Sequence, residues 1–335
     1  MSEPKYDAIL IVSFGGPERM DDVIPFLENI TRGKNVPPER LAAVARRYEM
    51  FDGVSPVGDA MRWLLTAIIS ELDQAGIGLP VYWGNRYWYP MIDEAIEQMA
   101  EDGVTRALAL LTSAYCSDAS CGGYVDAIQA ARSARGADAP VVDKIRPFYN
   151  HPGFIEAQVE RVIQACEQLP ESVQDEATLL FTAHSLPVDM AQRSGYREQV
   201  EEASRLVAER LDAADWSVAY QSRTGPPSQP WLEPDLATVI KDLATKDRPV
   251  ILVPIGFVME HMETAWDLDV EAAELCDQLD LPMVRALTVA GMPRFTRMVR
   301  ELIEERLDPE RERDVVGRHE PMPDECSREN CRRDE

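Results

Sequence analysis

Carboxylate side chains are concentrated in one short stretch that follows an apolar run. The run covers residues 250–258 and is typical of a strand buried on both faces. The stretch after it holds these acidic and imidazole side chains: Glu260, His261, Glu263, Asp267, Asp269 and Glu271. Glu263, Asp267 and Glu271 are four residues apart, so a helix would place them in one file, where like charges repel by about 0.2–0.5 kcal/mol per pair. A file of acids beyond a strand's carboxyl end predicts handling of protons or of a cation. The alternative is a solvated acidic helix face.

A histidine stands in a comparable place earlier in the chain. His184 directly follows the apolar residues 179–183, LLFTA. At neutral pH a histidine at a strand end is a natural general base or metal ligand, and the alternative is a structural histidine with satisfied hydrogen bonds. If the strands before His184 and before Glu263 are neighbours, the two side chains face one crevice. That arrangement would favour the functional interpretation.

Strands and helices alternate along the chain up to about residue 307. We predict strands at residues 6–14, 80–84, 107–111, 141–145, 177–183, 217–221, 250–258 and 284–289. Helical patterns separate them, which predicts an α/β protein with parallel sheets flanked by helices. The length of 335 residues favours two domains, each able to bury a core.

Charge and hydropathy exclude several classes of function. The net charge of −25 and the pI near 4.6 argue against nucleic-acid binding and against attraction to anionic membranes. An anionic substrate would therefore need a local cluster of Arg or Tyr. No apolar run is long enough for a membrane span, and the N-terminus lacks a signal-peptide pattern, so we expect a cytoplasmic protein without stable membrane insertion.

Several motifs resemble those of the ferrochelatases, which complete haem synthesis. They are FTAHSLP at 181–187, YQSRTGPPSQPWLE at 220–233, PIGFVMEHMETAWDLD at 254–269, VSFGGPE at 12–18, GVSPV at 53–57 and TSAYCSDASCGGY at 112–124. The likeness runs in order over about residues 6–306. It implies the chelatase fold, with Rossmann-like domains at 1–148 and 149–307, a porphyrin cleft between them and a charged tail at 308–335. It also implies insertion of Fe²⁺ into a porphyrin with release of two protons.

The resemblance implies a role for each residue of the acidic file. His184 and Glu263 would be the catalytic pair facing the macrocycle. Asp267 and Glu271 would continue the file as a conduit for protons or hydrated iron, so that all four side chains contact the substrate Fe²⁺. Which member of the pair accepts protons and which presents the metal stays open.

The porphyrin carboxylates need hydrogen-bond donors. By position in the family motifs, the residues around them would be Arg32, Arg47, Tyr48, Ser55 and Tyr124. For Arg47 and Tyr48 the alternative is that they are simply the last residues of a surface helix and have no role in binding. In some relatives a tyrosine at the position of Phe14 ligates the product iron, a contact that a phenylalanine side chain lacks the donor atom to make.

Some bacterial ferrochelatases carry a [2Fe–2S] cluster, and the cysteines here resemble its ligands. The matching positions are Cys121, Cys326 and Cys331, with Cys116 or Asp324 as the fourth ligand. Thiolates favour iron–sulfur or zinc sites, and free thiols are the other alternative. A cluster would order the charged tail, which would otherwise be disordered.

The resemblance also suggests the substrate and the partners. The short form without a membrane segment resembles enzymes of Gram-positive bacteria and actinobacteria, which make Fe-coproporphyrin III (coproheme) from coproporphyrin III. The alternatives are protoporphyrin IX as substrate, or a haem or porphyrin carrier without activity on the same fold. Transient contacts with coproporphyrinogen oxidase and coproheme decarboxylase are implied, by a protein that is otherwise monomeric.

Overall fold

The protein forms two compact units, each built around one sheet. The computed structural model describes residues 6–33, 36–225, 228–246 and 248–325. The first unit comprises Met1–Thr112, Gly123–Ile145 and Val299–Arg311, and the second comprises Ser113–Gly122, Arg146–Met298 and Glu312–Glu335. The domain boundaries predicted after residues 148 and 307 stay a prediction.

The first unit has a sheet of four parallel strands. The strands are β1 (Ala8–Ser13), β2 (Val81–Asn85), β3 (Arg106–Leu111) and β4 (Val141–Lys144), in the order β2-β1-β3-β4. Its helices are α1 (Met20–Thr31), α2 (Pro38–Glu49), α3 (Val57–Gln74), α4 (Ile92–Glu101) and α5 (Gly123–Arg135). Every residue of β1 is buried because the strand lies inside the sheet, with strands on both sides.

The second unit repeats this plan. Its strands are β5 (Thr178–His184), β6 (Trp216–Gln221), β7 (Val250–Val253) and β8 (Met283–Arg285), again parallel and in the order β6-β5-β7-β8. Its helices are α6 (Pro152–Cys166), α7 (Val188–Ser194), α8 (Tyr196–Arg210), α9 (Leu236–Ala244), α10 (Met262–Trp266) and α11 (Ala273–Gln278). The last helix, α12 (Pro293–Leu307), gives residues to both units. The prediction of parallel sheets flanked by helices is confirmed.

Short irregular turns complete the chain. Residues Glu171–Glu176 form a 3₁₀ helix, and Asp118–Gly122 and Asp267–Ala272 form π-helical turns. Helix α7 was not predicted, although Pro187 before it is a common residue at a helix start. No helix within the described ranges is both long enough and apolar enough to cross a bilayer.

The strand predicted at residues 250–258 is wrong in its second half. Strand β7 ends at Val253, because Pro254 has no N–H for the sheet. Gly256 then lies against β5, where its N–H donates to Thr182 O at 3.0 Å. A Cβ atom on Gly256 would lie 2.7 Å from Ala183 Cα. The apolar residues after Val253 therefore form a buried loop that leads into α10.

The first part of the charged tail, residues 312–325, lies against the second unit; we call it the tail strap. Val316 N–H donates to Asn150 O at 2.9 Å, and Asn150 Nδ2 donates to His319 O at 3.0 Å. Arg318 N–H donates to Glu202 Oε1 at 2.8 Å. Asn150 and Glu202 are buried and need such partners. These contacts give the strap a reason to be ordered that the sequence did not indicate, and its dependence on a cluster stays a prediction.

Candidate active site

His184 and Glu263 meet at the carboxyl ends of neighbouring strands. His184 is the last residue of β5, and Glu263 lies in the first turn of α10, which follows the loop after β7. His184 Nε2 lies 3.4 Å from Glu263 Oε1. On the other side of the ring, Nδ1–H donates to Ser185 O at 2.6 Å, so Nε2 is the atom that faces the carboxylate. Strands β5 and β7 are neighbours, so the condition set in the sequence for bringing the two side chains together is met.

The pair carries a proton at neutral pH. Burial alone would lower the pKa of His184, but the charge and hydrogen bond of Glu263, helped by Ser185 O and Asp267, raise this pKa to about 9. His184 is therefore largely an imidazolium at pH 7, with its Nε2 proton directed at Glu263. A metal ion can bind Nε2 only after this proton has left.

The acidic file follows a helix that changes its winding. Glu263 lies in α10, while Asp267 and Glu271 lie in the π-helical turn. In a regular α-helix, residues four apart drift by about 40° around the axis. The wider π turn reverses that drift, because four residues fall short of one full turn. The prediction of one regular helix is thus wrong for Asp267 and Glu271, which lie in the π turn.

Exposure changes along this file. The side chain of Glu263 is 42% exposed, Asp267 is buried, and Glu271 is exposed. Trp266 Nε1–H donates to Glu271 Oε1 at 2.7 Å and fixes the outer carboxylate. Of the three carboxylates, only that of Asp267 is therefore shielded from solvent.

Two residues at the end of β6 hold Asp267, and neither was predicted to be a site residue. Gln221 lies opposite His184 in the β5–β6 ladder. Its Nε2 donates to Glu263 O at 3.0 Å and to Asp267 Oδ2 at 3.4 Å. The Ser222 hydroxyl donates to the same Asp267 oxygen, from a left-handed backbone with φ +62°. Strained residues of this kind are concentrated at functional sites. Their position at a strand end was the available signal.

His261 caps the helix that carries Glu263. Its Nδ1 accepts the Glu263 N–H at 3.0 Å, and its ring lies 4.6 Å from the Phe257 ring. Burial lowers the pKa of His261, with Glu263 and Glu260 opposing and His184 reinforcing that shift. His261 is therefore a neutral hydrogen-bond acceptor, in contrast to the charged His184.

The predicted porphyrin contacts all lie in the first unit, several of them in an aromatic cluster. Phe14 follows β1, is 41% exposed, and its ring centroid lies 4.7 Å from that of Tyr87. The Phe26 ring lies 6.2 Å from Phe14 and 6.3 Å from Tyr48, which is buried. Tyr87 was not predicted as a site residue. Its signal was the aromatic run after β2.

Ser55 and Tyr124 lie next to this cluster. Ser55 is buried and approaches Gly16 so closely that a Cβ atom there would lie 2.6 Å from Ser55 Cβ. This close approach explains Gly16, and the left-handed backbone of Gly15, with φ +82°, explains the first glycine of the turn after Phe14. Tyr124 is buried beside Gly123, and the Arg86 guanidinium fills the space that a Gly123 side chain would need.

The two predicted arginines differ in exposure. Arg32 is exposed at the end of α1, where Nη2 donates to Asn29 Oδ1 at 2.6 Å. Asn29 Nδ2 in turn donates to Tyr87 O at 3.2 Å, which ties Arg32 to the aromatic cluster. Arg47 is half-buried in the last turn of α2, next to Tyr48.

Two of the predicted cluster cysteines lie in one short segment of the second unit. Cys116 is buried, and its N–H donates to Gln199 Oε1 at 2.9 Å. Cys121 is buried in the π turn 118–122, where Sγ–H donates to Ser117 O at 3.4 Å. The Asp324 carboxylate forms an ion pair with Arg313. The predicted ligands Cys326 and Cys331 lie outside the described residues.

Comparison with known sequences gives matches along almost the whole chain. The sequence model of the ferrochelatase family matches residues 6–307. A ferrochelatase from Rhodopirellula baltica is 46% identical over 334 residues, covering 99% of this chain and 95% of that protein. A coproporphyrin III ferrochelatase from Nocardia farcinica is 45% identical over 311 residues, covering 90% of this chain and 88% of that protein.

A solved structure shares the fold at much lower identity. SirB from Bacillus subtilis with Fe³⁺ has a TM-score of 0.55 and 13% sequence identity, and the match covers 90% of this chain and 96% of that chain. At this identity the likeness concerns the α/β fold alone.

Proposed function

The chain belongs to the ferrochelatase family, and we propose that it inserts Fe²⁺ into coproporphyrin III to give Fe-coproporphyrin III and two protons. One observation carries the proposal: His184 Nε2 and Glu263 Oε1 lie 3.4 Å apart, and Glu263 begins the series of carboxylates that Asp267 and Glu271 continue. A proton acceptor and a metal ligand are both needed for this reaction, and the pair offers one of each.

Proton transfer is the first task of the pair. A free-base porphyrin carries two pyrrole N–H protons, which must leave as iron enters the ring. His184 Nε2 can accept one after giving up the proton that it holds against Glu263, and the Glu263 carboxylate can accept one directly. The member that is not accepting a proton faces the metal. Imidazole and carboxylate are suitable ligands for Fe²⁺.

Asp267 and Glu271 would form the route for iron and protons. The exposed Glu271 can receive hydrated Fe²⁺ or release protons to solvent, and the buried Asp267 links it to the pair. The hydroxyl of Ser222 and the amide of Gln221 hold Asp267 in place. Iron moving inward and protons moving outward would keep the net charge of this buried segment nearly constant.

The first unit supplies the contacts for the macrocycle. Phe14 presents an exposed ring against which a flat porphyrin can pack, and it adds no ligand to the iron. The residues that we propose to bind the propionates are Arg32, Arg47, Tyr48, Ser55 and Tyr124. Coproporphyrin III has four propionates and protoporphyrin IX has two, so a rich set of donors favours the former.

An anaerobic assay with purified protein tests the proposal directly. Fe²⁺ would be supplied with coproporphyrin III or protoporphyrin IX, and the metalloporphyrin spectrum would be followed with time. We expect a higher kcat/KM for coproporphyrin III. Equal or faster turnover of protoporphyrin IX would overturn the substrate, and no turnover of either would overturn the activity.

The substrate and product also define the partners that we propose. Coproporphyrinogen oxidase would supply the porphyrin, and coproheme decarboxylase would consume the coproheme. Contacts with both would be transient, and the enzyme would act as a monomer.

We also propose that the chain holds a [2Fe–2S] cluster through Cys121, Cys326, Cys331 and Cys116. The buried thiols of Cys116 and Cys121 fit a thiolate-ligated group, because soft ligands favour iron–sulfur centres. Asp324 fits less well, because Arg313 already binds its carboxylate. When bound, the cluster would supply a covalent tie between the end of the chain and the segment 116–121.

A further inference from the structure

Arg285 makes a three-point contact with two acids of the stretch 260–271. It is the last residue of β8, and its side chain is 12% exposed. Nε and Nη2 donate to the two carboxylate oxygens of Asp269, with an Nη2–Oδ2 distance of 2.8 Å. Nη1 donates to Glu260 Oε1 at 3.1 Å. A planar guanidinium bound in this way is fixed in orientation as well as position.

Glu260 is itself anchored at both oxygens. Oε1 also accepts Thr288 N–H at 2.9 Å, and Oε2 accepts the Thr264 hydroxyl at 2.9 Å. Burial would raise the pKa of Glu260, but Arg285 and these hydrogen bonds hold it below its ordinary value. Glu260 therefore stays ionised and joins β8 to the start of α10.

These contacts fix the chain on both sides of the proposed working acids. Thr264, held by Glu260, directly follows Glu263. Asp269, held by Arg285, lies two residues after Asp267 and inside the π turn. A π turn is rarer than an α turn and commonly marks a functional site. A bidentate contact within it stabilises that winding against relaxation to a regular helix.

We propose that Arg285 is a positioning residue that holds Glu263 and Asp267 in place relative to His184. This rests on the proposed function, in which His184 and Glu263 form the working pair. The single positive charge of Arg285 is shared by Glu260 and Asp269, so it also reduces repulsion in the crowded acidic segment. Without it, the π turn and α10 are released together, and Glu263 moves away from His184.

The test compares Arg285→Met and Arg285→Lys with a matched control, Arg248→Met. Arg248 also forms an ion pair in the second unit, but its partner, Asp215, lies outside the acidic stretch 260–271. The readout is the titration of the His184 ring by NMR, assigned with His184→Gln. The groups that face His184 are Glu263, Asp267 and His261. In Arg285→Met we expect its midpoint to fall from about 9 toward 6.5, with no change in the control.

Kinetics give a second readout. We expect kcat to fall about 10- to 100-fold in Arg285→Met, as for a misplaced reacting group, with KM for the porphyrin unchanged. Arg285→Lys keeps the positive charge but loses the planar guanidinium that binds two acceptors at once. We therefore expect this variant to recover part of kcat and part of the His184 midpoint. If Arg285→Met does not fold, Asp269→Asn breaks the same contact from the other side.

An unchanged His184 midpoint in a folded Arg285→Met or Asp269→Asn variant would overturn the inference. This titration needs neither porphyrin nor iron. Failure of the proposed function would appear instead as absent iron insertion by the wild-type protein.

Discussion

Glu263 Oε1 faces His184 Nε2 across 3.4 Å, and this carboxylate is the main reason that the pKa of His184 is raised to about 9. If the proposed function is right, the pair holds one proton at the place where the substrate must lose two. Any reaction cycle through this pair must release that proton before the imidazole can act as a base or ligand.

The first prediction concerns loss of either member of the pair. His184→Ala and Glu263→Gln should each lower kcat for iron insertion by at least about 10²- to 10⁴-fold, the usual contribution of a general base. Porphyrin binding, followed by quenching of its fluorescence, should persist. Glu274→Gln on the exposed face of α11 is the control and should keep full activity. Near-normal turnover in either variant at saturating iron would remove that residue from the mechanism.

The second prediction concerns pH and stability. The folded pKa of His184, about 9, is above its ordinary value of 6.5, so the pair stabilises the fold fully below pH 6.5 and loses this effect as pH rises through 9. Glu263→Gln should therefore lower the free energy of unfolding more at pH 6 than at pH 9.5. Urea unfolding at the two pH values measures the difference. Equal destabilisation at both would mean that the proton is not shared as described.

A third prediction concerns substrate carboxylates. Tyr48→Phe removes one hydroxyl proposed to bind a propionate, and such hydrogen bonds to charged groups contribute about 1.5–3 kcal/mol. We expect KM for coproporphyrin III to rise about 10- to 100-fold with little change in kcat. The control is Tyr82→Phe, since the Tyr82 hydroxyl binds Asp102 on the same unit at 2.7 Å. If both variants behave alike, Tyr48 has no part in substrate binding.

The fourth prediction concerns the tail strap. Gly317 has φ +91°, and a Cβ atom there would collide with Glu202, so Gly317→Ala should detach the strap. Hydrogen exchange at the Val316 amide, which is bonded to Asn150, should then become fast. Gly136→Ala is a close control, because Gly136 has φ +87° and nothing within 4 Å of its Cβ position. Cys326→Ser should leave the strap protected, and loss of protection in that variant would show that the strap depends on the cluster.

The fifth prediction concerns the cluster. Anaerobically purified protein should be red-brown, with about two irons and two sulfides per chain. Cys116→Ser should change the visible spectrum, and Asp324→Ala should not, because Arg313 already binds that carboxylate. A colourless iron-replete preparation without acid-labile sulfide would contradict the cluster, and a spectral change only in Asp324→Ala would reverse the ligand assignment.

The sequence patterns placed His184 and Glu263 at strand ends, and the structure shows that the two strands are neighbours. Each follows an apolar run, and parallel strands place such ends at one edge of a sheet. The π turn was not predictable in this way, because a change of winding leaves no pattern in a run of acids. The positioning role of Arg285 was not predictable from the sequence either, because it depends on the pairing of β8 with β7.

The local sequence also did not indicate the observed structure of two segments. Residues 254–258 are as apolar as a strand, yet a proline and a close glycine contact turn them into a loop. The tail strap is charged and without periodicity, yet buried Asn150 and Glu202 bind its backbone. In both cases a tertiary contact outweighs the composition of the segment.

The three-part composition of the first unit affects the order in which the chain can fold during synthesis. Arg300 of its last part binds Glu71 at 2.8 Å, and Arg306 binds the Tyr6 hydroxyl at 2.7 Å. The stretch Val299–Arg311 leaves the ribosome long after Met1–Thr112, by roughly 10–40 s at ordinary elongation rates. During this interval Glu71 and Tyr6 of the nascent first unit lack these two arginine partners. All strands of the second unit are synthesised in the same interval.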